Sequence, residues 1–344
     1  MCWKKQGTSM PNKKEPTIKT MSQQNVLVTG GLGFIGSNLA HRLVSLGANV
    51  TVYDALLPQY GGNLANIKEI KEKIRDVRAD VRDFDQLKEY VKDQDVIFNC
   101  AAQVSHIDSM NDPYSDIAIN CVGAINLLEA ARRFNDDVKI VFTGTRSQIG
   151  KIDYSPADEK HPEFSMDIYS ANKSAAEKYH LIYYRSYGIP TTSLRISNAY
   201  GPRAQVKQKG YGVVNYLIRM ALQDEVITVY EPGTQKRDFI YIDDVVDSMI
   251  LAAQSDLANG EVFFVGSGIE TTFVDIVRLI INIACSGTWK FVPWPPERKS
   301  IEVGDIALDL GKIQNLLKWN PEVDLDEGLR RTVEYYRERI RDYL

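Results

Sequence analysis

The chain has few cysteines, Cys2, Cys100, Cys121 and Cys285 among 344 residues. None forms a CxxC pair and no histidines stand at zinc-like intervals, so the sequence offers no metal site or redox motif and the thiols read as reduced. It also lacks a long apolar run: Ile276 to Ala284 is short and interrupted by Arg278, far below the ~18 residues that cross a bilayer. The first residues, with Trp3-Lys4-Lys5-Gln6, have no apolar centre and do not read as a secretory signal. Forty-one basic against 45 acidic side chains leave a net charge of -4, without the broad positive field of a nucleic-acid binder. With 23 glycines, 13 prolines and 44% hydrophobic residues the chain is not of low complexity. A cytoplasmic globular protein with a small-molecule partner, no nucleic acid and no membrane, is the expectation.

At this length one large domain or two packed ones are expected. Residues 1 to 24 are lysine-rich, contain two prolines and show no periodicity, so they read as a disordered tail. From Asn25, short apolar runs alternate with amphipathic stretches. Val26 to Thr29, Val50 to Tyr53, Val77 to Ala79, Val96 to Asn99, Ile140 to Thr143 and Thr192 to Ile196 read as strands buried on both faces. Phe34 to Leu46, Leu64 to Ile74, Phe84 to Val91, Tyr114 to Phe134 and Asp167 to Tyr187 read as helices. Such alternation predicts an α/β fold, a doubly wound parallel sheet of Rossmann type. After Ile196 the alternation weakens, which predicts a smaller, less regular C-terminal unit with helices near Thr272 and from about Asp326 to Asp342.

Val26-Leu27-Val28-Thr29 leads into Gly30-Gly31-Leu32-Gly33-Phe34-Ile35-Gly36 and then a helix. Glycines between a strand and a helix bring unpaired N-H groups and the positive end of the helix dipole to a pyrophosphate. Asp54 ends the second strand, 18 residues after Gly36, where a carboxylate accepts from both hydroxyls of an adenosine ribose and repels a 2'-phosphate; NAD is favoured over NADP. Asp80, after the third strand, either holds the adenine amino group or caps the next helix.

Tyr169-Ser170-Ala171-Asn172-Lys173 sets a phenol and an ammonium one helical turn apart, on one face. A phenol of pKa near 10 is a poor base at neutral pH, and a lysine cation beside it lowers that value. By itself this spacing reads as surface helix. Upstream, however, Ile140 to Thr145 ends a strand at its carboxyl edge, where ligands sit in open parallel sheets, and Thr145 can donate to a substrate oxygen. His106, by contrast, reads as a solvated loop histidine, and Cys100 and Cys121 as small buried thiols rather than a redox pair.

The ordered set Thr29-Gly30-x-x-Gly33-x-x-Gly36, Asp54, Cys100-Ala101-Ala102, Asn120, Thr143 to Gly150, Tyr169-x-x-x-Lys173, Asn198 to Pro202 and Arg237 to Tyr241 resembles the extended short-chain dehydrogenase/reductases, specifically the NAD-dependent nucleotide-sugar epimerase/dehydratase family. The resemblance implies that Gly30, Gly33, Phe34, Ile35, Asp54, Asp80, Val81, Ala101, Ala102, Asn120, Thr143, Tyr169 and Lys173 contact NAD. Thr145, Tyr169 and Lys173 become the catalytic group. Thr145, Asn198, Ile227, Val229, Tyr230, Arg237 and Arg298 become contacts of a nucleotide-diphosphate sugar. It further implies that residues 25-199 and 237-266 form the NAD-binding domain and 200-236 with 267-344 an interleaved substrate domain. A homodimer built on the Tyr114 to Phe134 and Asp167 to Tyr187 helices is implied as well.

Departures from the family pattern narrow the reaction. The 4,6-dehydratase branch carries an Asp-Glu pair directly after the hydroxyl residue; here Arg146 and Ser147 stand there, and the decarboxylating branch would want Glu at Ser147. Dehydration thus lacks its acid and base. Where an arginine usually precedes Gly304-Asp305 and holds the diphosphate, this chain has Glu302, with Arg298 or Lys299 as substitutes. Ile149 replaces a typical tyrosine. Epimerisation of a UDP-sugar at C4 through a transient ketone is the expected activity. The alternatives are an NDP-4-keto-sugar reductase, a C2-epimerase or, in another class, a non-catalytic NAD-binding regulator.

Overall fold

The computed structural model describes residues 18-295 and 304-344. Seven parallel strands form the main sheet in the order β10-β6-β5-β4-β1-β2-β3. They are β1 (Asn25–Thr29), β2 (Asn49–Asp54), β3 (Ile74–Arg78), β4 (Val96–Asn99), β5 (Lys139–Thr145), β6 (Thr191–Ile196) and β10 (Val262–Val265). Side chains alternate through the pleat. Val26, Val28, Val52, Phe98 and Val141 pack on one face, and Leu27, Tyr53, Ile97 and Ile140 on the other. Burial on both faces explains why these strands read as continuous apolar runs.

Helix α1 (Phe34–Ser45) follows β1 and packs on the first face, where α8 (Ile242–Gln254) joins it. On the second face lie α2 (Phe84–Val91) and, beyond the short α3 (His106–Asn111), a long composite helix. That helix begins as α4 (Pro113–Asp116), widens into a π-helical turn (Ile117–Val122) and continues as α5 (Gly123–Phe134). Beside it runs α6 (Ile168–Tyr187), started by the Asp167 carboxylate accepting from Ser170 N at 2.8 Å and ended at Gly188 with φ 77°. Asp in the cap and Gly after the last turn are the residues these positions favour.

The rest of the chain forms two smaller sheets. β7 (Asn198–Tyr200), β9 (Lys236–Tyr241) and β11 (Glu270–Thr272) make one; β8 (Val226–Tyr230), which follows α7 (Val213–Leu222), pairs with β12 (Thr288–Val292). Helices α9 (Phe273–Ala284), α10 (Gly311–Leu317) and α11 (Leu325–Arg339) complete this part. β10 pairs with β6 after the excursion through α7, β8 and β9, so the chain returns to the main sheet. β9 pairs with β7 and β11.

Two local expectations are corrected. The tail through residue 24 does not extend that far: Met21 is 1% exposed in the core, and Thr20 Oγ1 donates to Leu46 O at 3.0 Å. One buried thioether anchors the segment, a signal too sparse for periodicity; residues 1-17 lie outside the described residues. The stretch Leu64 to Ile74 is not an α-helix but two 3₁₀ turns, Leu64–Ile67 and Lys71–Lys73, with Ile74 opening β3. The Asn63 side chain accepts from Ala65 N, and the buried amide of Asn66 donates to Leu32 O at 2.8 Å and Arg203 O at 3.0 Å. These tethers draw the segment onto the glycine turn in place of continuous helical bonding.

Candidate active site

In an open parallel sheet the crevice lies outside the carboxyl ends of the strands, where the strand order reverses. Here that point is between β1 and β4, and one cavity of about 410 Å³ runs along it. Its floor is the turn after β1. Gly30 has φ 67°, and a Cβ there would sit 2.7 Å from Cys100 O and Ala101 N; a Cβ on Gly36 would lie 2.3 Å from Gly30 O. Only glycine lets the turn lie this close to β4 and to the first turn of α1. Thr29 Oγ1 donates to Asn99 Oδ1 at 3.0 Å and accepts from Ala101 N at 3.2 Å, locking the two strand ends together.

Asp54 closes one end of the cavity. Its carboxylate accepts from Leu32 N at 2.9 Å and Leu56 N at 2.7 Å, while burial raises its pKa. Asp80 also borders the cavity and is held by Arg82 through Nε and Nη2. Burial pushes Asp80 up, but the Arg82 bonds outweigh it and leave the carboxyl below its ordinary range.

The other end is built from β5 and α6. Thr145, the last residue of β5, caps a 3₁₀ turn (Arg146–Ile149), accepting from Ser147 N at 3.3 Å with its own N-H bound to Gln148 Oε1 at 2.9 Å. Its hydroxyl meets Ser147 Oγ at 3.0 Å and acts to lower the pKa of the Tyr169 phenol. Tyr169 and Lys173 are both buried on α6 and both border the cavity. Burial raises the phenol above its ordinary value; Asp167 and Asp116 add to this, and Thr145 and Arg146 oppose it. Burial also lowers the Lys173 ammonium to about 8. The amine lies 4.1 Å from the centre of the Phe142 ring.

His106 departs from its expected place. It borders the cavity, its Nδ1 is 2.7 Å from Asp167 Oδ2, and its ring stands edge-on to Tyr169 at 5.0 Å. The Asp167 carboxylate thus caps α6 and fixes the imidazole at once. No local pattern signals this, because the partners are 61 residues apart.

Of the expected site residues, Gly30, Gly33, Phe34, Ile35, Asp54, Asp80, Val81, Ala101, Ala102, Thr143, Thr145, Tyr169, Lys173 and Asn198 border this cavity. Asn120 lies behind it, donating to Gln103 O and Asp116 Oδ1 at 3.0 Å each. Ile227 and Val229 point into the core with no exposed surface, which removes their side chains as nucleotide contacts. Tyr230 packs on Trp294 with Lys209, a cavity residue, above its ring. Arg237 Nη1 donates to Lys236 O and Gly304 O, outside the cavity lining. Arg298, Lys299 and Glu302 lie outside the described residues. Tyr211, which the sequence reading missed, borders the cavity and donates to Asp108 Oδ2 at 2.8 Å.

Residues 26–266 match the NAD dependent epimerase/dehydratase family. The chain belongs to that family. Members are NAD-dependent enzymes that act on nucleotide sugars, and the cofactor is NAD. The chain is 33% identical to a UDP-glucose 4-epimerase of Mycolicibacterium smegmatis over 91% of its own length and 98% of that protein's. It is 31% identical to a dTDP-glucose 4,6-dehydratase of Streptomyces niveus, over 91% and 93% of the two chains. The crystal structure of Thermus thermophilus UDP-glucose 4-epimerase in complex with NAD superposes with a TM-score of 0.81, at 31% identity over 91% and 99% of the chains. The cavity suits the dinucleotide on its own features: a cradle that a single Cβ would fill, a helix N-terminus above it, and a carboxylate at the end of β2. No helix among the described residues is long and apolar enough to cross a membrane.

Proposed function

We propose that this enzyme inverts C4 of a UDP-sugar through a transient 4-ketone. The observation that carries the reading is the meeting of Thr145, Tyr169 and Lys173 in one cavity, with Arg146 and Ser147 in place of an acid and base pair. A hydroxyl, a phenol and an amine suffice to oxidise and reduce one carbon; elimination of water needs more.

Gly30, Gly33, Phe34 and Ile35 would hold the NAD pyrophosphate and Asp54 its adenosine ribose, with Thr143 and Lys173 at the nicotinamide end. Bound NAD supplies a hydride acceptor whose reduced form returns the hydride. Thr145 donates a hydrogen bond to the oxygen on C4. Tyr169 takes the proton from that oxygen as the ketone forms and gives it back when the opposite face of C4 is reduced. Lys173 keeps a positive charge beside the phenolate. Asn198, fixed by its bond to Asp238 O at 2.8 Å, approaches the diphosphate. Exposed Ile117, Val122, Phe134, Ile182 and Tyr187 on the composite helix and α6 support a homodimer that covers them.

The test is to incubate purified protein, with no added cofactor, with UDP-, CDP-, GDP- and dTDP-sugars and follow stereochemistry by proton NMR. Interconversion of C4 epimers without added NAD supports the epimerase; conversion that requires added NADH points to a ketoreductase. Tyr169→Phe lowers turnover at least about a hundredfold with NAD still bound, and a fully active Phe variant removes the assignment.

A further inference from the structure

Helix α3 is docked on the start of α6 by its first and fourth residues. Ser105 caps α3, its Oγ accepting from Asp108 N at 3.1 Å, and Ser109 Oγ accepts from Tyr169 N at 3.1 Å while donating to His106 O at 2.8 Å. His106 adds a further tie: its Nδ1 lies 2.7 Å from Asp167 Oδ2, and the imidazole stands edge-on to the Tyr169 ring with centroids 5.0 Å apart and planes at 84°. The Asp167 carboxylate is itself fixed, since Oδ1 accepts from Ser170 N at 2.8 Å and Oδ2 from Ser170 Oγ at 3.1 Å. Burial pushes that carboxyl up, but the bonds from His106 and Ser170 outweigh it and hold it below its ordinary range, so it is ionised and accepts only. The proton between the two groups therefore sits on Nδ1.

One nitrogen of the ring remains. In the neutral imidazole Nε2 is then a lone-pair acceptor, on the side of the ring away from Asp167. It has no hydrogen-bond partner among the described residues, and the His106 side chain is 42% exposed where the residue borders the cavity. Docking α3 does not require this imidazole, because Ser109 already ties the two helices. The phenol handles the oxygen on C4, so the ligand groups nearest to the ring are the substituents of the adjoining carbons. We infer that His106 Nε2 accepts a hydrogen bond from a sugar hydroxyl beside C4, on C3 or on the C6 carried by C5, and that the enzyme selects substrates by that hydroxyl. This rests on the C4 reading above, in which Tyr169 takes the proton of the C4 oxygen.

UDP-glucose, UDP-3-deoxyglucose and UDP-6-deoxyglucose decide it, with the native protein, His106→Asn and His106→Gln, each loaded with NAD and checked for its melting temperature. Asn sets an amide N-H near the place of Nδ1, which keeps the Asp167 bond, and has nothing at Nε2. Gln sets an amide oxygen near the place of Nε2 and gives up the Asp167 bond. Dissociation constants of the three sugars and C4 inversion of UDP-glucose are measured. The native enzyme binds UDP-glucose at least about fivefold more tightly than one of the two deoxy sugars, which identifies the hydroxyl; the Asn variant brings that ratio to within about twofold, and the Gln variant keeps part of it. A ratio unchanged in the Asn variant, or a weakening equal for all three sugars, marks a structural histidine and overturns the inference, while persisting C4 inversion leaves the epimerase intact. An Asn-sensitive ratio without C4 inversion supports the hydroxyl contact and removes the C4 reading. Equal binding of all three sugars by the native protein overturns the inference alone, and binding of none overturns it together with the UDP-sugar reading.

Discussion

Lys173 offers a sharp test of how this site is built. The residue is 2% exposed, its amine has no carboxylate hydrogen-bonded to it among the described residues, and burial lowers it from an ordinary 10.5 to about 8. At about 1.4 kcal/mol per pKa unit, holding the ammonium there costs the folded state roughly 3 kcal/mol. The Phe142 ring, 4.1 Å away, returns roughly 1 to 2 kcal/mol of cation-π attraction. Lys173→Met, which keeps most of the volume and drops the charge, therefore stabilises the NAD-free protein at pH 7 by about 1 to 2 kcal/mol. The advantage depends on pH with a definite sign. Below pH 8 the amine is charged in the folded and unfolded chain alike, and the full cost is present. Between about 8 and 10.5 the unfolded chain binds the extra proton, so native stability rises with pH. Above 10.5 both states are neutral and the cost has gone. Urea unfolding of both proteins from pH 7 to 11 reads this as a difference that falls as pH rises, with the effects of the tyrosines cancelling between variants. A variant less stable than native at pH 7, or a difference that does not change with pH, would refute the argument.

Two further substitutions probe the frame around the site. Glu177, one turn beyond Lys173, accepts from Arg195 Nη2 at 2.6 Å and from Ser193 Oγ at 2.7 Å, and both members of the ion pair are buried. Glu177→Gln strands part of the Arg195 charge; because Glu163 remains bonded to Arg195, the expected loss is near the lower end of about 3 to 5 kcal/mol, read as a reduced urea midpoint. Met21→Ala removes the buried anchor of the first described segment and costs about 2 to 5 kcal/mol on the same assay, whereas a disordered tail would show no change.

The two halves of the molecule were unequally legible. β1, β2, β4, β5 and β6 are found because each is buried almost throughout and so written as an apolar run, whereas the edge strand β3 is found on Val77 alone; the glycine turn is found because steric necessity leaves no alternative at Gly30 and Gly36. Tyr169, Lys173 and Thr145 are visible because their spacing is local and their strand ends at the switch point. Contacts closed by tertiary structure were not visible. The His106 and Asp167 pair, the anchoring of Met21 and the tethering of Asn66 each join residues that no local period connects. One signal was present and unused: in Val226-Ile227-Thr228-Val229-Tyr230 the period of two puts Ile227 and Val229 on the same inner face, which alone directs their side chains to the core.

Burial also sets the direction of the site's ionisation. It raises the Tyr169 phenol and lowers the Lys173 amine, so it favours the neutral form of both, and as pH rises the amine loses its proton first. The combination a base needs, phenolate beside ammonium, is therefore disfavoured in the protein by itself. Any positive charge brought close to the phenol lowers it, as Arg146 already does to a degree. The same charge further lowers Lys173 unless a hydrogen-bond acceptor reaches the amine at the same time. A ligand that activates this site must thus present two features at once, positive charge near Tyr169 and an accepting oxygen near Lys173. A binder with only the first shifts both groups downward together and leaves them mismatched.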